Sequence, residues 1–308
     1  MRIYQFTHSD LDGVGCAVLS TMSFAEAGQT PEVRYVNYHN IEAELNRFVE
    51  EHEDDEDDFT LLITDICPEE PVAEMLDNFN KATRVCKLHL FDHHKTQAWV
   101  NQYPWARHDT NQCGTLLYYD WLVETGRLGH HKAVEAKEFA ELVDVYDRWL
   151  LDDPRRNDSE DINRLLFFIG FDRFVSLFSH DPKTHNSPEY KNIMQQLSRN
   201  QASHVNKIVS SQCSGEFARE DRDGNQYCVL VAEKDVSQIC HAALDRFDEL
   251  DYAVCINPVY NKVDLRSRKD GVDVGSIAKR CGGGGHPAAS GFKIDARAVL
   301  ALALNNLL

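Results

Sequence analysis

The sequence predicts an α/β protein: an N-terminal, doubly wound parallel sheet followed by a smaller C-terminal α/β domain. Three observations carry this. Short apolar runs in the first half alternate with helix-period runs at the spacing of strand–helix–strand units. Aspartates and histidines gather where those predicted strands end. Past a polar, proline-bearing stretch, shorter strand and helix runs return, so the 308 residues divide into two domains.

Ile3 to His8 reads as the first strand, and Val14 to Glu26 as a helix stopped by Gly28. Val33 to Tyr38 is the second strand, and Ile41 to Val49 a helix. Phe59 to Thr64 is a continuous apolar strand ending at Asp65, as expected of a strand covered on both faces. Pro68 precedes a helix over Glu69 to Phe79, and Val85 to Phe91 is a strand ending at Asp92. Helices follow over Gly114 to Thr125, Lys132 to Tyr146 and Ser159 to Phe168. Phe167, Phe168, Phe171, Phe174 and Phe178 recur at mostly helical spacing and are expected in the core.

Residues 179–189 carry two prolines and several turn formers, and a polar helix over Tyr190 to Ser210 follows. The expected division is a catalytic domain over 1–185, a helical linker over 186–212 and a second domain over 213–308. The second domain reads as strands at Tyr227 to Ala232, Tyr252 to Ile256 and Val263 to Arg268. Its helices are Ser237 to Phe247, Val274 to Arg280 and, after a glycine run, Arg297 to Leu307.

Composition excludes several classes. Hydrophobic residues make up 43% and charged residues 27%, as in a globular protein. No stretch approaches the roughly 20 apolar residues of a membrane helix, and no apolar leader opens the chain, so a cytoplasmic protein with no membrane partner is expected. The net charge of −18 suits neither long nor duplex nucleic acid, which calls for a basic footprint. Much of the excess lies in Glu50 to Asp58, expected to be a solvated loop. The nine cysteines are odd in number and lack Cys-x-x-Cys spacing, so they are expected to be reduced, buried thiols.

The chemistry sits at strand ends, where open α/β sheets build their sites. The first strand runs into His8-Ser9-Asp10-Leu11-Asp12-Gly13, read as a loop aiming His8, Asp10 and Asp12 to one side. The third ends in Asp65 and the fourth in Asp92-His93-His94. Asp144 and Asp147 lie downstream, in or just after a helix. An aspartate before glycine is often only a turn or cap, but four such elements in order are hard to attribute to capping. Carboxylates crowded into one cleft cannot all stay ionised, and cations resolve the conflict. A mixed Asp/His set suits manganese or a similar ion, and six or more ligands fit two ions about 3.5–4 Å apart, a pair that activates water against phosphate esters.

In the second domain, Gly282 to Gly285 before His286 would let backbone amides approach an anion, with Pro287 and the following small residues suiting a helix start. A single glycine would suffice for a helix cap, so the run favours phosphate binding. Arg266 and Arg268 lie on a predicted strand nearby, and Gly114-Thr115 is a weaker second anion site. His130 and His131, in a glycine-flanked turn, are expected at the surface, and His180 and His185 show no ligand spacing.

The order His-x-Asp-x-Asp-Gly, a strand-end Asp, Asp-His-His and a later Asp resembles the DHH phosphoesterase superfamily. The glycine run with Ala288-Ala289-Ser290-Gly291-Phe292 resembles its type 1 associated C-terminal domain. The resemblance implies a dinuclear manganese site. His8 and Asp10 would bind one ion, Asp12 and His93 the other, and Asp65 would bridge both. Asp92 would support them, and His94 would face the phosphate. Asp147 is the favoured fourth-motif ligand, because Tyr146-Asp147-Arg148-Trp149 looks like the oligoribonuclease branch, with Asp144 second. Gly283, Gly284, Gly285 and His286, with Arg266, would hold another phosphate of the substrate across an interdomain cleft. Some relatives place three residues between the histidine and the first aspartate, whereas this chain has Ser9 alone.

The implied activity is hydrolysis of short single-stranded RNA or of linear dinucleotides such as pGpG and pApA to 5′-mononucleotides. The alternatives are a dedicated cyclic-nucleotide or dinucleotide phosphodiesterase, a bisphosphonucleotide phosphatase, or a non-catalytic nucleotide-binding protein. A homodimer is compatible with each.

Overall fold

The structure, a computed structural model, describes residues 1–25, 27–83, 85–268 and 271–295. It falls into two units, Met1–Gln195 and a second that begins at Gln196.

The first unit opens with β1 (Arg2–His8), α1 (Leu11–Ala25), β2 (Glu32–Val36), α2 (Ile41–His52), β3 (Phe59–Thr64), α3 (Glu70–Thr83) and β4 (Cys86–Asp92). A 3₁₀ segment, Lys95–Gln102, leads to β5 (Ala106–His108). Helices α4 (Gly114–Glu124), α5 (His130–Asp147), α6 (Arg156–Ile169) and α7 (Phe171–His180) follow, and α8 (Pro188–Gln212) begins in the first unit and ends in the second. The strands form one sheet in the order β2-β1-β3-β4-β5, parallel throughout. The chain steps from β2 past β1 to β3, so β1 and β3 flank the topological switch point, where such sheets bind ligands beyond the strand carboxyl ends.

Strand periodicity sorts the core into two layers. Phe6, Leu61, Ile63 and Leu90 pack under α2 and α3, with Ile41, Leu45 and Phe48 spaced along one stripe of α2. Ile3, Leu62 and Phe91 face the other way, onto α1, α4 and the later helices. All six residues of β3 are buried, which explains its unbroken apolar run.

The second unit carries β6 (Arg219–Glu220), β7 (Gln226–Val231), α9 (Val236–Arg246), β8 (Tyr252–Asn257), β9 (Lys262–Ser267), α10 (Val274–Arg280), β10 (Gly284–His286) and β11 (Ala289–Lys293). Its mixed sheet has the order β10-β11-β9-β8-β7-β6. Cys228, Leu230, Ala253 and Cys255 pack with α9 on one face. Tyr252, Val263 and Leu265 pack with α10 on the other.

The structure departs from the sequence reading in several places. Helix α1 begins at Leu11, so Asp12 and Gly13 belong to its first turn and not to a loop. The acidic stretch starts inside α2 and only then becomes exposed turn. Strand β5, only three residues long, leaves little periodic signal, and the helically spaced Phe171, Phe174 and Phe178 lie on a separate helix, α7, set off from α6 by Gly170. Phe174 and Phe178 are core residues, but Phe167 and Phe168 are 60% and 59% exposed, since they lie on the outer face of α6. His185 is buried against Phe178. Eight cysteines are buried as expected, whereas Cys281 is exposed. The helix expected over Arg297 to Leu307 lies outside the described residues.

The glycine run is also used differently. Gly282, at φ 77°, closes α10 in a two-bond cap, its N–H on the Lys279 carbonyl and the Gly283 N–H on that of Ala278. Residues Gly284–His286 then form an edge strand, not a loop entering a helix. A side chain at Gly283 would strike the Gly291 carbonyl at 2.1 Å, and one at Gly285 would meet Ser290 Cα at 2.6 Å. Close packing of a hairpin therefore requires glycine at 283 and 285, whereas a side chain at Gly284 would meet nothing within 4 Å.

Candidate metal centre at the strand ends

The carboxyl ends of β1, β3 and β4 and the last turn of α5 bring the predicted acids and histidines of the first unit together. His8 closes β1, and its Nδ1 lies 2.7 Å from Asp10 Oδ2 and 3.6 Å from Asp65 Oδ2. His93 Nε2 lies 3.3 Å from Asp65 Oδ1, 3.5 Å from Asp12 Oδ2 and 3.5 Å from Asp147 Oδ2. Asp65 thus turns one carboxylate oxygen toward each set. Among the described residues, three groups have ligand atoms close enough to share an ion: His8, Asp10 and Asp65; Asp12, His93 and Asp147; and Asp65, His93 and His94.

Local structure fixes these side chains. Asp10 caps α1, accepting the Gly13 N–H at 3.0 Å. Gly13 must lack a side chain, because a Cβ there would lie 2.1 Å from the His8 carbonyl oxygen. Asp65 takes a left-handed φ of 56°, its N–H held by the Phe91 carbonyl at 2.8 Å. Below the cluster, Gln5 donates to Thr64, Thr64 to Thr7 and Thr7 to the Gly13 carbonyl, at 3.0, 2.8 and 2.7 Å. This buried chain locks β1, β3 and the start of α1 together. His94 Nδ1 pairs with Asp92 Oδ1 at 2.8 Å, and His108 Nε2 binds the His94 carbonyl oxygen at 2.9 Å.

The N-terminus of α4 was a candidate anion site, and the chain's own acids take its amides. Asp12 accepts the N–H groups of Gly114 and Thr115, each at 2.7 Å, and Asp144 accepts that of Cys113 at 2.7 Å. Asp144 also pairs with Arg148 at 3.0 Å. Of the two fourth-motif candidates, Asp147 reaches His93 while Asp144 caps a helix. The capping role of Asp144 had no sequence signal, because its partner amide lies 31 residues away.

Charge explains the chemistry this cluster can do. Burial, then Asp12 and Asp10, push the Asp65 carboxyl well above the carboxylate range. Burial and the Asp12 charge raise Asp147 to about 7. Burial opposes a charged His8, but Asp10 and Asp65 outweigh it and raise the imidazole to about 10. His93 is raised as well, by Asp12 and Asp147 against its burial. Without cations, the cluster must carry protons to relieve this repulsion. Four of its buried atoms still lack an aligned hydrogen bond: His8 Nδ1, Asp65 Oδ2, Asp92 Oδ2 and His93 Nε2. Converging oxygen and nitrogen lone pairs in this state fit divalent cations.

In the second unit, Arg266 donates to Ser237 Oγ at 3.2 Å and to the Leu265 carbonyl at 2.9 Å. Its strand pairs with β11, whose Ala289 lies opposite Arg266 and also opposite His286. His286 and Arg266 therefore lie at one level of the mixed sheet, with Gly284 and Gly285 preceding His286 on the edge strand. Arg268 instead binds the carbonyl oxygens of Leu244, Phe247 and Leu250.

No family model matches the chain. It is 28% identical over 307 residues to oligoribonuclease NrnB of Bacillus subtilis, covering 94% of this chain and 72% of that protein. It is 24% identical to a 3′,5′-cyclic-nucleotide phosphodiesterase of Helicobacter pylori, covering 96% and 93%. Among solved structures, RecJ of Thermus thermophilus in complex with Mn²⁺ superposes with a TM-score of 0.61 at 14% identity, over 98% of this chain and 51% of RecJ. The pGpG-specific phosphodiesterase PggH of Vibrio cholerae gives a TM-score of 0.51 at 14% identity, over 99% and 98%.

Proposed function

Because this chain belongs to the DHH superfamily of phosphoesterases, we propose that it hydrolyses short oligonucleotides and linear dinucleotides to 5′-mononucleotides with two bound divalent ions, manganese by preference. One observation carries the reading: Asp65 offers an oxygen to His8 on one side and another to His93, at 3.6 and 3.3 Å. His8, Asp10 and Asp65 would hold one ion, and Asp12, His93, Asp147 and Asp65 the other. A pair of such ions supplies Lewis acidity toward a phosphate and a nucleophilic water near neutral pH.

The chain's own groups do the rest. Asp12 is held by two amides of α4, so it keeps its orientation without spending its remaining lone pairs. Asp92 binds His94 at Nδ1, and this bond opposes the effect of burial and raises the ring. His94 is then biased toward its charged form, able to donate from Nε2 to a phosphate oxygen or to the leaving oxygen. Gly283, Gly284, Gly285, His286 and Arg266 are proposed to hold a further phosphate of the substrate. Short substrates fit a chain of net charge −18, which gains little from a long polyanion.

The test is a substrate panel with manganese: pGpG, pApA, a pentanucleotide RNA, a long RNA, adenosine bisphosphate and a cyclic nucleotide. Conversion of the short RNAs to mononucleotides while the long RNA persists supports the proposal. The Helicobacter relative favours one second reading, a cyclic-nucleotide phosphodiesterase, and turnover of the cyclic substrate alone would select it.

A further inference from the structure

Tyr38 lies just beyond β2 and is 50% exposed. Its ring centroid is 5.6 Å from that of His8 and 5.8 Å from that of His94, the latter at an interplanar angle of 89°. Of the exposed large apolar side chains described, it is the one whose ring contacts are with cluster histidines. The segment that carries it is tied down. Asn37 accepts the Ser9 hydroxyl at 3.0 Å, between His8 and Asp10, and the Asn37 N–H is held by the Asn40 side chain at 2.7 Å. Tyr38 is therefore placed by the same loop that places His8.

We infer that Tyr38 is a stacking platform for a nucleobase of the substrate, on the nucleotide whose phosphate lies at His94. This rests on the phosphodiesterase reading above. His94 and Tyr38 are ring neighbours, so a phosphate held at His94 brings the rest of its nucleotide beside the Tyr38 ring. An aromatic ring packed by its neighbours loses little freedom on stacking, and every base has a π-face, so the contact adds affinity without selecting a base. The site is then tolerant of sequence but demands a base.

The test compares kcat/KM of the manganese-loaded full chain for pApA and for its analogue lacking both bases. In Tyr38→Ala the pApA-to-abasic ratio is expected to fall by about 5- to 150-fold. Tyr38→Phe and Tyr38→Trp keep the wild-type ratio, because stacking needs the ring and not the hydroxyl. An unchanged ratio in Tyr38→Ala overturns the inference, including the case where both substrates slow equally and Tyr38 merely props the histidines. A fall in Tyr38→Phe as large as in Tyr38→Ala overturns it as well. If the wild type cleaves neither compound, the phosphodiesterase reading has failed, and equilibrium binding decides the stacking question. Wild type should then prefer AMP to ribose 5-phosphate and Tyr38→Ala should lose that preference, whereas equal preference in both overturns the inference.

Discussion

Asp12 accepts the backbone N–H of Gly114 at 2.7 Å with the same oxygen that lies 3.5 Å from His93. One carboxylate thereby joins the start of α1 to the start of α4 and to the cluster. The positive end of α4 faces this acid, whose charge repels Asp65 and Asp147.

Gly114→Ala should damage this joint. The added Cβ would stand 2.9 Å from Asp65 Cβ and 3.0 Å from Asp12 Oδ2. Overpacking of this kind costs about 1–3 kcal/mol, and it displaces two of the proposed ligands. A lower melting temperature and at least about a tenfold loss of turnover are expected. A variant with wild-type melting and turnover would show that the contact is dispensable.

Asp144 and Asp147 separate by experiment. Asp144→Asn keeps an acceptor for the Cys113 N–H but loses the charge facing Arg148, so it should cost about 1 kcal/mol of stability and leave most of the activity. Asp147→Asn should lower kcat by about a hundredfold or more and weaken manganese binding in calorimetry. The reverse order would assign the ligand role to Asp144.

The metal-free protein should be more stable at mildly acidic pH than at alkaline pH. Asp147 is raised to about 7, so the stability it contributes is present below its unfolded value near 4 and lost as pH rises through 7. His8, raised to about 10, acts in the same direction, with its contribution lost as pH rises through 10. Asp10 is lowered, chiefly by His8 against its burial, so its contribution is lost in strong acid. Thermal melts in EDTA should peak near pH 4 and fall as pH rises, and manganese should raise the melting temperature most at higher pH. A flat profile, or one rising toward pH 9, would contradict this.

Arg156 should matter for metal binding without touching the cluster. Its guanidinium lies 3.9 Å over the Trp149 ring and donates to the carbonyls of Val145 and Tyr146 at 3.3 and 3.4 Å, closing the turn of α5 that bears Asp147. Arg156→Lys cannot reproduce this planar fork. A loss of about 1–3 kcal/mol in stability and a several-fold weaker manganese affinity are expected by melting and calorimetry. Unchanged affinity would restrict Arg156 to a structural role.

Sequence alone was sufficient where the signal is local. The runs at β1, β3 and β4 and the acids that end them are contiguous patterns, and the sheet brings His8, Asp65 and His93 together as strand-end logic requires. What was hidden is set by tertiary contact. Asp12 meets Gly114 across 102 residues, which no spacing rule anticipates. Tyr38 reads as an ordinary strand residue until its ring is seen between two histidines. The glycine run carries two demands that sequence alone cannot separate: close backbone packing in a hairpin, seen at Gly283 and Gly285, and close approach to an anion, which call for the same residue.

The most direct measurement is the release of GMP from pGpG by wild type and by Asp65→Asn, each with manganese, followed by chromatography. Wild type should release stoichiometric GMP and the variant at least about a thousandfold less, since one carboxylate serves both proposed ions. No GMP from the wild type with any divalent metal, or comparable GMP from Asp65→Asn, would contradict it.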